Sequence, residues 1–410
     1  MQEKRRVVIA GGGAAGFFAA IACAEALGAA GEVTLHEATA HPLAKVRVSG
    51  GGRCNVTHAC FEPRELVRRY PRGGRELIGA FHRWQPRDTV SWFAARGVET
   101  KVEDDGRMFP VTDDSATIID CLRRAADTAG VRVLTTSGVR RAEAAGPGSF
   151  WLTLTDGSEV RCERLLIATG GNRSSAGFTI AESFGHTIEP LVPSLFTFHS
   201  DDPRLVGLSG LSVADAAAVV AGTKLAERGP MLITHWGLSG PAILKLSAWG
   251  AREFADRGYR CEVAINWVPG AKREAILAQL TNLRQAEARK QVGTFSPMPF
   301  PQRLWEKLIE AAGIPATTPW AHVTNAALQA LVAQLVDGRF AVDGKSTFKD
   351  EFVTCGGVKL SEVDFRTMES RLCPGIHFAG EVLDVDGVTG GFNFQNAWTT
   401  GYLAGMAAAK

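Results

Sequence analysis

The feature that most constrains the fold is a glycine-rich turn near the amino terminus. Residues 7–10 (VVIA) predict a short buried strand, and residues 11–16 (GGGAAG) match the spacing G-x-G-x-x-G. An alanine-rich helix over residues 17–27 and a second strand over residues 31–36 follow, and Glu37 closes that strand. Strand, turn, helix, strand and acid in this order form the dinucleotide-binding fingerprint. The sequence therefore predicts an α/β chain with a Rossmann-like parallel sheet in three layers.

Each part of the fingerprint has a physical role. Gly11 makes the tight turn, Gly13 lets the backbone approach a pyrophosphate, and Gly16 allows close packing of helix on strand. The start of the helix offers unpaired N–H groups and a positive dipole end to phosphates. Glu37 can accept hydrogen bonds from ribose hydroxyls.

Composition narrows the class of protein. A chain of 410 residues with 45% apolar and 21% charged residues is typical of a globular protein of two or three domains. The net charge of +2 gives no general case for nucleic acid or a membrane surface as partner. The eight cysteines show neither C-x-x-C nor zinc-site spacing, so we expect no metal, no dithiol relay and a reducing, cytoplasmic location. Outside the fingerprint, no apolar run is long enough to span a bilayer.

Residues 45–57 (KVRVSGGGRCNVT) form a second glycine-rich stretch. Three successive glycines beside Arg53 and Asn55 make a loop rich in N–H donors that can lie against a ligand. A flexible surface turn is the alternative. Because the stretch follows the ribose-binding acid, we favour a cofactor role.

Residues 61–88 are rich in arginine, with acidic residues interspersed. The arginines are Arg64, Arg68, Arg69, Arg72, Arg75, Arg83 and Arg87. A solvated helical face is favoured over a nucleic-acid patch, because the charges are balanced. We therefore do not expect nucleic acid as the partner.

Further elements follow in the first half of the chain. The pattern predicts helices over residues 88–95 and 117–129, with residues 106–110 as a turn between them. A strand over residues 131–134 and a hairpin over residues 150–162 come next.

Residues 165–171 (LLIATGG) predict a buried strand that runs into a glycine turn. The small residues would leave room for a ligand at the carboxyl end of a parallel sheet. A simple strand-ending turn remains the alternative.

The predicted secondary structure changes after Pro193. Short β-like runs (195–198, 216–221 and 261–268) give way to a helical region that reaches Val336. No second fingerprint occurs, so we predict an inserted substrate-side domain. Its His235, beside Trp236, is a weak candidate for catalysis, although a lone histidine beside an aromatic is more often structural.

The carboxyl-terminal part returns to α/β character. A strand over residues 352–358 precedes a second strand that delivers Glu381 to its carboxyl end. A turn-rich loop over residues 384–391 then leads into a helix over residues 393–409. The positive end of that helix would face a developing negative charge, with a plain docking helix as the alternative.

The expected domains follow from these changes. A discontinuous dinucleotide domain covers residues 1–194 and 345–410. The insert divides into a β-barrel-like part, residues 195–268 and about 337–344, and a helical part, residues 269–336.

Taken together, these motifs resemble a known family. The fingerprint with Glu37, the turn over residues 168–171 and the Gly380–Glu381 pair before a helix are similar to the glutathione-reductase-type FAD fold. More narrowly, residues 49–57 and 234–241 resemble the BaiN/YhiN-type flavoproteins. Residues 367–370 and 379–397 share that resemblance, which spans nearly the whole chain.

The resemblance implies that FAD is held by the two terminal parts of the chain. It places the pyrophosphate at residues 11–16, the adenosine ribose at Glu37, the adenine at the backbone of Val139 and ribityl or phosphate oxygens at Glu381. The full set of expected contacts is Gly11, Gly13, Ala14, Ala15, Gly16, Glu37, Ala38, Lys45, Ser49, Gly50, Gly51, Gly52, Arg53, Cys54, Asn55, Val139, Ala168, Thr169, Gly170, Gly171, Gly380, Glu381, Gly391, Asn393, Phe394, Gln395, Asn396 and Ala397. The loop over residues 172–177 is shorter than in the family, so the resemblance does not extend to the substrate.

The resulting hypothesis is an FAD-dependent oxidoreductase in which hydride enters and leaves at flavin N5. NAD(P)H would bind transiently, and a small organic molecule with a conjugated C=C bond would accept the electrons. An oxidase that uses oxygen, a flavoprotein that acts on or with RNA, and a non-catalytic redox sensor remain as alternatives. The catalytic acid and base are unknown, with Cys54 and His235 as weak candidates.

Overall fold

The computed structural model describes residues 4–146, 148–346 and 353–410. The described residues up to Pro193 and from Val353 onward form one compact unit, and residues 194–346 form a second. The finer division of the insert at residues 268 and 337 stays a prediction.

Strands occur in both units and are numbered along the chain. They are β1 (Arg5–Ala10), β2 (Gly31–His36), β3 (Thr57–His58), β4 (Thr100–Val102), β5 (Arg107–Pro110), β6 (Arg132–Leu134), β7 (Val139–Gly146), β8 (Ser149–Leu154), β9 (Glu159–Cys162), β10 (Arg164–Ile167), β11 (Ile188–Ser194), β12 (Phe198–His199), β13 (Ser212–Val220), β14 (Ala226–Thr234), β15 (Gly237–Ser239), β16 (Cys261–Asn266), β17 (Gly338–Val342), β18 (Gly344–Lys345), β19 (Val353–Val358), β20 (Val363–Asp364), β21 (Glu369–Ser370) and β22 (Ile376–Phe378).

The α-helices are numbered in the same way. They are α1 (Ala14–Leu27), α2 (Ala44–Val48), α3 (Pro63–Leu66), α4 (Gly74–Phe81), α5 (Pro86–Ala94), α6 (Ser115–Thr128), α7 (Ala176–Ser183), α8 (Pro241–Trp249), α9 (Ala251–Asp256), α10 (Arg273–Ala286), α11 (Gln302–Ala311), α12 (Asn325–Asp337) and α13 (Phe392–Ala408).

The central sheet of the first unit has the strand order β20-β21-β22-β10-β1-β2-β6. The run from β22 to β6 is parallel, and β20 and β21 extend it in antiparallel fashion. β1 lies between β10 and β2, where both faces of the strand are covered, and its last four residues are buried. The predicted Rossmann-like parallel sheet is therefore confirmed.

Helices α1 and α13 pack directly against each other over this sheet. A Cβ added at Gly401 would lie 2.6 Å from the Ala15 carbonyl oxygen, and one at Gly405 would lie 2.3 Å from that of Ala19. Larger side chains at either glycine would push the two helices apart. The close packing fixes the last helix of the chain beside the first.

Smaller sheets complete the first unit. β3, β5 and β4 form one, the meander β7-β8-β9 forms another, and β11 pairs with β19. The hairpin predicted over residues 150–162 is observed as the β8–β9 pair. Phe352, expected in the strand before Val358, lies outside the described residues.

One predicted turn is wrong. The sequence places a turn over residues 106–110, but Arg107–Pro110 is a strand that pairs with both β3 and β4. The turn comes earlier, where the Gly106 amide donates to the Glu103 carbonyl (2.8 Å). Thr100–Val102 and Arg107–Pro110 thus form a local hairpin around Glu103–Gly106, and the second partner, Thr57–His58, lies about fifty residues away in the chain. The sequence correctly indicates a break here, but it places the break within the second strand of the hairpin.

The second unit is built on an antiparallel sheet with the order β17-β16-β13-β14-β15-β12-β18. Helices α10 to α12 lie between β16 and β17 in the chain, where the sequence predicts a helical region. Helices α8 and α9, which follow β15, are not predicted by the sequence pattern. Among the helices of the described ranges, each is too short or too polar to cross a bilayer.

Candidate dinucleotide site

Three turns meet at one edge of the central sheet. The register pairs Ala10 with Ile167 across β1 and β10, and Ile167 with Phe378 across β10 and β22. Because these strands are parallel, their carboxyl ends lie side by side. The segments that follow them, residues 11–13, 168–171 and 379–381, are therefore neighbours. This is the edge at which open α/β sheets bind ligands.

The fingerprint turn is packed tightly onto this edge. Gly11 has φ +112°, and a Cβ there would lie 2.4 Å from the Ala168 carbonyl oxygen. A Cβ at Gly16 would lie 1.9 Å from the Gly11 carbonyl oxygen. These two glycines are therefore required by the fold itself. By contrast, a Cβ at Gly13 would meet no atom of the described residues within 4 Å.

The acid that follows β2 is held firmly in place. Glu37 Oε2 accepts a hydrogen bond from the Gly12 amide (2.7 Å), and Oε1 accepts from the Thr39 amide and hydroxyl (both 2.8 Å). Gly138 packs on Ala38, and Val139 begins β7 directly after it. The residues expected around the adenosine thus lie together beside the fingerprint turn.

The glycine loop after α2 has a backbone that other residues rarely adopt. Gly50, Gly51 and Gly52 have φ of +60°, +70° and +88°. A Cβ at Gly50 would press on the Phe109 ring (2.7 Å), whereas Gly51 and Gly52 have no described atom within 4 Å of a Cβ. Arg53 lies over the Phe109 ring at 4.0 Å and donates to Glu103 Oε1 (2.6 Å). The loop is therefore anchored at one end and open along its glycines.

Cys54 is unsuited to the catalytic role considered for it. Its side chain is fully buried at a residue with φ +62°. Burial raises the pKa of the thiol to about 12, and a hydrogen bond with Ser49 opposes this shift. A thiol that stays neutral and shielded is a poor proton donor or acceptor near neutral pH, so its position fits packing better than catalysis.

The glycine loop is fastened to the start of α13. With the Asn55 amide oriented so that both atoms face matching partners, Oδ1 accepts from the Gly391 amide (2.9 Å). The Thr57 hydroxyl donates to Gln395 Oε1 (2.6 Å), and the Trp398 indole donates to the Val56 carbonyl (2.9 Å). These contacts join residues more than three hundred positions apart.

Two side chains of α13 that are expected to contact the cofactor make hydrogen bonds within the protein. Both ends of the Asn393 amide bond to the backbone of Gly387 at 2.8 Å. Gln395 is fully buried and also donates to the Thr399 hydroxyl (3.0 Å). Asn396 is different, because its buried Oδ1 has no hydrogen-bond partner among the described residues. A buried acceptor of this kind suits a donor on a ligand.

Glu381 joins three segments of the edge. Its Oε2 accepts from the Lys45 ammonium (2.6 Å), and its Oε1 accepts from the Thr354 amide (2.8 Å). The Thr354 hydroxyl in turn donates to the Gly171 carbonyl (2.7 Å). A carboxylate accepts hydrogen bonds from hydroxyls but repels phosphate, whereas an ammonium attracts phosphate. Hydroxyl groups therefore suit Glu381, and Lys45 supplies the positive charge.

His235, the other catalytic candidate, belongs to the second unit. It is exposed in the turn between β14 and β15, with its ring 4.7 Å from that of Trp236. The same unit brings together His199, Asp201 and Asp343, whose ligand atoms lie within 4.8 Å of one another. Exposed carboxylates often cluster in this way without a metal, so we assign no ion to them.

Sequence reasoning misses the residues that hold the site together. Thr57, Thr354 and Thr400 each carry a hydroxyl that bonds across the edge, and the Thr400 hydroxyl accepts from the Gly380 amide (2.9 Å). No local signal marks these threonines, since their partners are distant in the chain.

The residues at this edge fit FAD. A Cβ at Gly13, Gly170, Gly51 or Gly52 would meet no described atom within 4 Å, so the backbone at these glycines is open to a ligand. The residue directly before each of helices α1 and α13 is a glycine, Gly13 and Gly391, so the first N–H groups of both helices carry no side-chain cap. Uncapped helix starts, open glycine backbone and an orphaned buried acceptor are what a long, anionic cofactor needs.

Comparison with known proteins places this geometry in a family. Residues 5–407 match the family model described as "HI0933-like protein Rossmann domain". The chain is 34% identical over 400 residues to a ribosomal RNA dihydrouridine synthase of Escherichia coli, covering 95% of each chain. It is 30% identical over 407 residues to a 3-dehydro-bile acid delta(4,6)-reductase of Clostridium scindens, covering 96% of this chain and 97% of the relative.

A solved structure shares the fold. The 3-ketosteroid delta1-dehydrogenase of Sterolibacterium denitrificans superposes with a TM-score of 0.51 and 10% identity, over 100% of both chains. At this identity the likeness concerns the fold alone.

Proposed function

Because the chain belongs to the HI0933-like Rossmann family and is an FAD-dependent oxidoreductase, we propose that it reduces a C=C bond conjugated to a carbonyl group, with NAD(P)H as the electron source. FAD, when bound, supplies the hydride chemistry through its isoalloxazine ring. The protein binds and orients the cofactor and sets the charge around it.

The observation that carries the proposal is the shared chemistry of two relatives. A dihydrouridine synthase saturates a C=C bond of a uracil ring, and a 3-dehydro-bile acid delta(4,6)-reductase acts on C=C bonds of a 3-oxo steroid. Both relatives match about 95% of this chain. Their substrates differ greatly in size, but in each the double bonds are conjugated with a carbonyl group. Our proposal for this chain therefore takes from the two relatives only the type of bond that is reduced, and not the substrate.

Different residues of the site would bind different parts of the cofactor. The start of α1 after Gly13 would hold the pyrophosphate, and Glu37, fixed by its bond from the Gly12 amide, would accept from the ribose hydroxyls. Lys45 and Glu381 serve the phosphate and hydroxyl groups between the two ends. The start of α13 after Gly391 offers N–H groups and a positive dipole end, which would stabilise negative charge on the pyrimidine side of a bound flavin.

The overall reaction balances with one nicotinamide per double bond. NAD(P)H is oxidised to NAD(P)⁺, hydride adds to the carbon β to the carbonyl, and a solvent-derived proton adds to the α carbon. None of the eight cysteines has C-x-x-C spacing, the usual spacing of a dithiol relay of electrons. The nicotinamide would therefore donate to the flavin without a dithiol between them.

The test is an anaerobic reduction series on the purified holoenzyme. We expect the flavin absorbance near 450 nm, roughly where oxidised isoalloxazines absorb, to bleach with NADH or NADPH and to return when an α,β-unsaturated ketone is added. A saturated ketone is the matched control and should leave the flavin reduced. Rapid reoxidation by oxygen with steady peroxide release, and none by the unsaturated ketone, would instead indicate an oxidase.

A second candidate places the reducible base within RNA, as the name of the Escherichia coli relative suggests for that protein. Six of the seven arginines in residues 61–88 are exposed in the structure. Arg83, Arg366 and Arg371 also line a groove of 420 Å³ in the first unit, together with Glu76 and Asp364. This surface supports an RNA substrate, although each of the two acids offsets part of its charge.

Salt dependence distinguishes the two candidates. Binding to a ribosomal RNA fragment that weakens steeply between 50 and 200 mM salt, roughly the range in which phosphate contacts are lost, would favour the RNA substrate. The variant Arg83→Ala should then lower the slope by about one counterion. Binding that is weak at both salt concentrations would leave the small-molecule substrate.

A further inference from the structure

One arginine of the arginine-rich stretch differs from the rest. The side chain of Arg72 is 12% exposed, and its guanidinium makes two hydrogen bonds to the carboxylate of Asp386, which is fully buried. The exposed arginines of the stretch are Arg64, Arg68, Arg69, Arg75, Arg83 and Arg87. A bidentate pair between Arg and a buried carboxylate fixes the geometry of both side chains.

The pair belongs to a clamp between two segments. Arg72 and Asp386 also form an isolated antiparallel backbone bridge. The Val388 amide donates to the Arg69 carbonyl (2.8 Å), and the Tyr70 hydroxyl donates to the Phe392 carbonyl (2.6 Å). Residues 69–73 therefore hold residues 384–392 from one side, by backbone and side chain together.

The clamped loop is the one that leads into α13. Gly391, which begins the helix, follows Asp386 by five residues, and the Asn393 amide closes back on Gly387. A helix dipole acts strongly only within its first turn, so the position of this loop decides where the positive end lies. A binding group is held accurately only if its supporting residues are themselves locked.

We propose that Arg72 is a positioning residue for the flavin, acting through Asp386 on the loop that sets the start of α13. This inference rests on the proposed function in that the flavin ring lies against the start of α13. Arg72 would act through Asp386 and not by touching the cofactor. It keeps the N–H groups of the first helical turn at the place where the ring's negative charge forms.

The first test replaces Arg72 with lysine. The variant Arg72→Lys keeps the charge beside Asp386 but loses the two-pronged hydrogen bond. We expect the dissociation constant of FAD to rise about tenfold and the reduction potential of the bound flavin to become more negative. The matched control is Arg68→Lys, whose side chain is 72% exposed, and it should change neither quantity. Wild-type affinity and potential in Arg72→Lys would overturn the inference.

A second variant separates positioning from stability. Removing one partner of a buried pair leaves an uncompensated charge, but replacing both with apolar residues is often tolerated. The double variant Arg72→Met/Asp386→Leu should therefore unfold near the wild-type temperature while still binding FAD about tenfold more weakly. A stable double variant that binds FAD like the wild type would refute a positioning role, as would a loss of stability with unchanged FAD affinity.

The outcome is distinguishable from failure of the proposed function. A wild-type protein that binds FAD but reduces no conjugated C=C bond overturns the proposed reaction, and the Arg72 effects on affinity and potential would still support the inference. A wild-type protein that takes up no FAD overturns both.

Discussion

The substitution Gly13→Ala tests the cofactor site most directly. Gly13, the residue directly before α1, has φ −85° and ψ −171°, extended values that alanine adopts without strain. An added methyl group would meet no described atom within 4 Å. It would, however, stand where a phosphate must approach the first N–H groups of the helix. The fold should tolerate the change and the cofactor should not.

The expected magnitudes follow from these contacts. Alanine caps a helix less well than glycine but restricts the unfolded chain, and these effects of about 0.5–1 kcal/mol oppose each other. The free energy of unfolding of the FAD-free protein should thus change by less than about 1 kcal/mol. A hydrogen bond from an N–H to a charged group contributes about 1.5–3 kcal/mol. Losing about 3 kcal/mol in total would raise the dissociation constant of FAD about 100-fold.

The assay is fluorescence titration of the FAD-free full chain, with urea unfolding of the same samples. Gly16→Ala is the contrast, because its Cβ would lie 1.9 Å from the Gly11 carbonyl oxygen and should cost about 3 kcal/mol of stability before any cofactor is added. Gly79→Ala is the control, since its Cβ would meet no described atom within 4 Å and it lies in α4. Wild-type FAD affinity in Gly13→Ala would refute the reasoning.

Three further predictions follow from the same geometry. Glu381→Gln replaces the charged acceptor that Glu381 would offer to a cofactor hydroxyl with a neutral one, and should weaken FAD binding about threefold to tenfold. Stability should change little, since Lys45 opposite it is mostly exposed; loss of folding would contradict this. Cys54 should resist alkylation by iodoacetamide at pH 8 in the native protein, because burial raises its pKa to about 12, and rapid labelling seen by mass spectrometry would show that it is accessible. Burial lowers the pKa of His36 and of His186 below 6.5, so both are neutral in the folded state and protonation favours unfolding. The free energy of unfolding should therefore be constant above pH 6.5 as far as these two histidines are concerned, and should decrease as the pH falls below 6.5. In urea titrations the decrease should be at most about 1.4 kcal/mol per pH unit for each histidine, and an unchanged free energy of unfolding at pH 5.5 would contradict this.

Local sequence signals predict the amino-terminal part of the fold well. The strand, turn, helix and strand of the fingerprint are complete within residues 5–37, and the observed elements β1, α1 and β2 match them. The missed helix α8 also carries a local signal, because Gly240 precedes Pro241 at its first position, where proline favours helix initiation. In the sequence this segment lies between β-like runs, and that context hid the signal.

The contacts that assemble the site cannot be predicted from local sequence. Thr57 and Gln395 are 338 positions apart, Lys45 and Glu381 are 336 apart, and Arg72 and Asp386 are 314 apart. Nothing in the neighbourhood of either partner marks the pair, since each residue type is ordinary where it stands. A family resemblance can indicate that these regions meet, but only the structure shows which atoms join them. This is why Arg72 is counted with a solvated surface in the sequence and lies in a clamp in the structure.

At the glycines directly before helices, we can ask whether glycine is needed by the fold or by a ligand. Gly73, Gly240 and Gly391 begin helices with positive φ, and a Cβ at each would lie 2.5–2.7 Å from another residue of the protein. Gly250 has an ordinary φ, but its Cβ would press on neighbouring side chains at 2.6 Å. Gly13 alone among these five has neither reason, and serine or aspartate there would cap the helix better. A capping carboxylate at position 13 would repel a phosphate, and any side chain there would keep the phosphate away from the N–H groups of the helix. Neither conformation nor packing thus calls for glycine at position 13, whereas a phosphate bound to the helix start does.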